Sequence, residues 1–179
     1  MTDVAAQQKY QIRFDWGQAG FQALAPFADA VVVVDVLPDA DAAAPVIPGA
    51  GDTQVITAGF GNRAAVAEWV VARQAEKGDR FAVAVIAGGG LRHDGTVRFA
   101  VEDLLASGAV IDALIALGID HCSPEAAAAS AAFVGLKQAV RHLVSASESG
   151  QALTALGRES EVRLAARLDD SRDVHALRP

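Results

Sequence analysis

Val31-Val32-Val33-Val34-Asp35-Val36-Leu37 is an apolar run with a single carboxylate near its far end. Runs of this kind, bounded by turn residues, form strands buried on both faces, and such strands belong to parallel sheets covered by helices. Asp is a poor strand residue and is rarely buried without a partner. In open α/β sheets ligands bind outside the carboxyl ends of the strands, and Asp35 falls at such an end. Two readings follow: Asp35 caps a turn or a following helix, or it faces a metal or a substrate.

The pattern around this run alternates strands with helices. Residues 10–14 read as a short strand and Asp15-Trp16-Gly17 as a turn, with helical spacing over residues 18–27. Residues 38–52 hold three Pro, two Gly and three Asp without a period, so they read as a loop long enough to be functional or disordered. Residues 54–57 and 81–87 read as two further buried strands, and residues 62–77 between them as a helix stopped by Gly78-Asp79. Asp94-Gly95 is a turn signal. The rest is mostly helical: residues 99–105 and 111–117 as one interrupted helix or two around Ser107-Gly108, then a helix capped by Ser123-Pro124 and running to residue 143. Residues 147–156 and 159–168 add two helices, and residues 174–177 an edge strand. The expectation is a single α/β domain over residues 1–179 with a helical C-terminal half.

Charge and composition exclude several classes. A net charge of -7 argues against nucleic acid as a partner, because phosphate backbones need a basic face. The single Cys122 rules out an intrachain disulfide and a multi-cysteine zinc site. The four His lack zinc-binding spacing. No apolar stretch approaches the ~20 residues of a membrane span, and residues 1–10 lack the apolar core of a signal peptide. The expected location is the cytoplasm, with no membrane partner.

Several short patterns carry chemistry. Gly59-Phe60-Gly61-Asn62-Arg63-Ala64 fits G-x-G-x-x-A between a strand and a helix, but no acidic residue closes the next strand. A tight strand-to-helix turn explains it better than a nucleotide site does. Gly88, Gly89 and Gly90 end a buried strand, where their amides form either an anion-binding nest or a plain turn. Arg92, His93 and Arg98 lie close by in sequence. Glu102 and Asp103 open a helix, where acidic residues meet the helix dipole. Together with Asp35 they are also hard oxygen donors of the kind Mg²⁺ takes. His121-Cys122-Ser123 carries nucleophiles but no G-x-S-x-G elbow.

Taken in order, these segments resemble the 2-phosphosulfolactate phosphatase (ComB-like) family. The resemblance rests on Ile12-Arg13-Phe14-Asp15-Trp16-Gly17, on the V-V-V-D-V-L strand, and on the strand, Gly turn and Asn-led helix from Val55 to Trp69. It continues through Asp94-Gly95-Thr96-Val97-Arg98 and Glu102-Asp103-Leu104-Leu105-Ala106-Ser107-Gly108-Ala109, then Ser123-Pro124-Glu125-Ala126 and the C-terminal tail. It implies a three-layer α/β/α fold with a mostly parallel or mixed sheet. It also implies a Mg²⁺-dependent phosphatase that turns 2-phosphosulfolactate into sulfolactate and phosphate, a step of coenzyme M biosynthesis. Carried over by position, Asp35 and Glu102 are the catalytic candidates, Asp35, Glu102 and Asp103 the metal ligands, and Arg98 with the Gly88, Gly89 and Gly90 amides the holders of a small anionic phosphorylated substrate. Homo-oligomerisation stays open.

The chain departs from the family in three places. Pro38-Asp39-Ala40-Asp41 follows the Asp35 strand where the family has an Arg- or Ser/Thr-rich segment. The family's middle region is shortened to residues 42–52. The family's A-G-E-R reads Ala87-Gly88-Gly89-Gly90, so a Glu and an Arg are missing. These changes leave a second reading beside the phosphatase: a catalytically weakened homologue that binds a small anion or a partner subunit.

Overall fold

The chain, described over residues 7–37 and 53–178 in a computed structural model, opens with β1 (Ile12–Trp16), α1 (Gly17–Leu24) and a turn of 3₁₀ helix (Ala25–Phe27). β2 (Ala30–Val34), β3 (Gln54–Ala58), α2 (Arg63–Lys77) and β4 (Val83–Ala87) follow, then a small hairpin of β5 (Gly90–Leu91) and β6 (Val97–Arg98). The remainder is α3 (Val101–Ala116), α4 (Pro124–Leu136), α5 (Val140–Ala146), α6 (Glu148–Ala155), α7 (Glu159–Ala165) and the strand β7 (His175–Arg178). The expected loop over residues 38–52 lies outside the described residues.

The sheet order is β1-β4-β2-β3-β7, with the first four strands parallel and β7 antiparallel on the free edge of β3. β2 sits in the centre, and all five of its residues are buried. β-branched side chains suit that position because both faces are packed. Strand alternation sends Val32 and Val34 to one face and Val31 and Val33 to the other. The first face packs with β4's Val83 and Val85 under residues of α2 through α7. The second packs with Ala84, Ile86 and Val55 under Phe21 and Leu24 of α1. The layers are therefore α/β/α with a mixed sheet and, among the described residues, six helices on one face and a single short one on the other.

Two helical readings need correction. α3 runs unbroken through Ser107-Gly108, because Gly108 is where α4 crosses closest: a Cβ there would collide with the carbonyl of Ala129. The helix expected from Pro124 to residue 143 is instead broken at Lys137–Ala139 into α4, a 3₁₀ turn and α5. β1 also starts and ends two residues later than the sequence pattern indicates, so Trp16 belongs to the strand.

Candidate active site at the carboxyl ends of the strands

Neighbouring strands β1 and β4 send their chains to opposite faces, one into α1 and the other through the hairpin into α3. Such a switch point is the usual ligand crevice of an open α/β sheet. Here the hairpin fills it. Gly89 has φ +68°, and a Cβ on it would stand 2.7 Å from Val97 Cγ1 and 2.8 Å from the Arg98 carbonyl. Trp16 and Phe99 close the same spot with ring centroids 5.4 Å apart.

The open space lies one strand over. A cleft of about 330 Å³ lies beyond the ends of β2 and β3, walled by Asp35, by Thr57 through Asn62, by Leu164 and Ala165 of α7, and by Asp170, Ser171 and His175. Asp35 is exposed and stands beside Gly88, whose Cβ position is 3.3 Å from the Asp35 Cβ. It thus sits where β2 ends between its neighbours β4 and β3.

Asp103 sets this geometry from below. It is 2 % exposed, and its two oxygens accept 2.8 Å hydrogen bonds from the backbone amides of Val36 and Gly89. One carboxylate thereby ties the segment after β2 to the segment after β4 and fixes the residue next to Asp35. Burial pushes the Asp103 carboxyl up to about 8, with the negative charges of Asp35 and Glu102 adding to the rise and the two amides opposing it. Glu102 is 1 % exposed, and its Oε2 has no hydrogen-bond partner. Buried polar atoms in that state are uncommon and call for a cause.

The amides of Gly88 and Gly89 both have partners within the protein. The Gly88 amide donates to the Val34 carbonyl at 2.7 Å and the Gly89 amide to Asp103, so neither is available to an anion. The Gly-rich turn exists to let the hairpin close. Arg98 is drawn the other way, donating to Ser149 Oγ at 2.9 Å and pairing with Glu148 at 3.6 Å. Its guanidinium lies against Gly90, in the space a side chain at that position would take.

The G-x-G-x-x-A turn is held from within: Asn62 accepts from the Gly59 amide, and its own amide group donates to the Thr57 and Asp173 carbonyls. The carbonyls of Phe60 and Gly61 accept from the amides of Asp169 and Ser171. This is the tight-turn reading, with the C-terminal segment folded over it. That segment brings Asp170 and His175 to the cleft, two residues the sequence pattern did not single out. Cys122 is half-buried beside β1, and Ser123 caps α4 by accepting from the Ala126 amide.

Over residues 46–178 the sequence matches the family described as 2-phosphosulpholactate phosphatase. The chain belongs to the 2-phosphosulpholactate phosphatase family. No curated protein matches it. The family match includes β3, the Gly-rich turn, Glu102, Asp103 and β7, and it begins beyond Asp35. Asp35 therefore stands on its place in the cleft and on the strand pattern. Among the described residues no helix is long and apolar enough to cross a membrane, and no three His, Cys, Asp or Glu side chains are grouped to hold a metal ion.

Proposed function

We propose that this chain takes a small phosphorylated organic acid of the phosphosulfolactate type into the Asp35 cleft and hydrolyses its phosphate ester slowly, with Mg²⁺. The family membership carries the reading, and an exposed carboxylate lining the cleft at a strand end supports it. The donor set fits a hard cation in charge. Asp35 and Glu102 both act on Asp103 by their charge, and Glu102 Oε2 is buried without a partner; a cation would relieve both. Mg²⁺ commonly takes only one or two carboxylates and completes its shell with water and substrate phosphate. Asp35 and Glu102 are the residues that would hold it, while Asp103 positions the loop. When bound, Mg²⁺ polarises phosphoryl oxygens and lowers the pKa of a bound water.

Around that charge the chain's own groups orient the substrate. His175 offers a ring nitrogen to a sulfonate or carboxylate, and Leu164 and Ala165 of α7 give the cleft an apolar wall. Phosphoryl transfer also needs positive groups on the equatorial oxygens. The family's Arg is Gly90 here, and Arg98 is engaged with α6. Loss of one such donor costs ~10²–10³ in rate. A second reading, binding without turnover, is favoured by the same commitment of Arg98, Gly88 and Gly89 to protein partners. Phosphate release from 2-phosphosulfolactate, with and without Mg²⁺, in the wild type and Asp35→Asn separates them. Slow release that needs both Mg²⁺ and Asp35 supports the phosphatase; tight binding with no release at any Mg²⁺ concentration supports the second reading.

A further inference from the structure

On the far side of α7 from the Asp35 cleft, a cavity of about 220 Å³ is lined by Arg141 and Ser145 of α5 and by Arg163, Ala166 and Arg167. No carboxylate lines it. Arg163 pairs with Glu159, and Arg167 reaches Asp170 only at 3.9 Å. Among the described residues no carboxylate pairs with Arg141. The chain has 15 basic residues against 22 acidic ones, yet three arginines from two segments line this one cavity.

We propose that this cavity is a second anion site that takes a small free dianion of the phosphate-ester class. Guanidinium forks match phosphate oxygens two at a time. A concave space lined by Arg141 and Arg167, with Arg163 shared with Glu159, suits a compact anion bearing more than one charge. An extended polyanion or an anionic surface would meet a chain of net charge -7, which disfavours it. Because Leu164 and Ala165 wall the Asp35 cleft while Arg163 and Ala166 line this cavity, one helix separates the two sites.

The probe is inorganic phosphate, titrated calorimetrically into the full chain without Mg²⁺ and with a chelator present, so that binding does not depend on the Asp35 cleft. The wild type and Asp35→Asn are expected to show the same saturable site, weakened by added NaCl. Arg141→Gln weakens it about tenfold or more, Arg141→Lys less, and Arg141→Gln with Arg167→Gln abolishes it. These arginines are exposed, and unchanged circular dichroism shows that the variants fold. Absence of saturable binding, equal affinity in the double variant, or retention on phosphatidylglycerol vesicles without binding of free phosphate would overturn the proposal. Because the wild type and Asp35→Asn are compared directly, the outcome is independent of whether the Asp35 cleft hydrolyses anything.

Discussion

Asp103 shows how one buried side chain can organise a site without touching a ligand. Its carboxylate joins Val36 to Gly89, so Asp103→Ala leaves two amides unpaired at ~1–3 kcal/mol each. Chemical denaturation is expected to report a loss in that range. The raised pKa gives a second test. A carboxyl whose folded value, about 8, exceeds its unfolded value contributes stability that is complete below about pH 4 and is lost as pH rises through 8. Without Mg²⁺, melting curves from pH 5 to 8 should fall more steeply for the wild type than for Asp103→Asn, which has no charge to lose. Parallel slopes would place the ionised form in the fold throughout. Cys122 supplies a third test. Burial and the Asp120 charge push its thiol up, so alkylation at pH 8 should be far slower in the folded protein than in denaturant.

At the scale of elements, glycines in helices separate packing from propensity. Gly108→Ala gains ~1 kcal/mol of helix propensity but forces α3 away from the Ala129 carbonyl, an overpacking cost of ~3 kcal/mol. The cost wins, and Tm should fall by roughly 4–8 °C. Gly135, near the end of α4, has nothing within 4 Å of its Cβ position, so Gly135→Ala should raise Tm instead. The same residues explain what the sequence reading could and could not see. The Val run, the Ser123-Pro124 cap and the Gly78 stop act locally, and all three were legible. Gly108 looks like a helix break in isolation because its reason is a neighbour more than 20 positions away. The bend at Lys137–Ala139 has no proline to mark it, and its Gly135 and Lys137 are weak signals inside an otherwise helical pattern; two-residue strands such as β5 and β6 fall below any period.

At the scale of the whole molecule, among the described residues, the hairpin closes the β1/β4 end of the sheet and the cleft lies beyond the carboxyl ends of β2 and β3. Asp35 was legible because a carboxylate in a Val run is locally anomalous. The role of Asp103 was not, because both of its partners come from distant parts of the chain, Val36 67 residues away. Nor were Asp170 and His175, which reach the cleft only because the tail folds over the Gly-rich turn. Of the three acidic residues expected as a ligand set, Asp35 is exposed, Glu102 is buried with an unpartnered Oε2, and Asp103 is buried and ties Val36 to Gly89. The central claim is that the Asp35 cleft holds the cation and the substrate together. Crystals grown with Mn²⁺, sulfolactate and phosphate test this most directly through the anomalous signal of the metal. The account predicts a peak within ~2.2 Å of an Asp35 carboxylate oxygen, with phosphate on the same ion and the organic anion toward His175. A metal bound elsewhere, or ligands outside the cleft with Asp35 untouched, would contradict it.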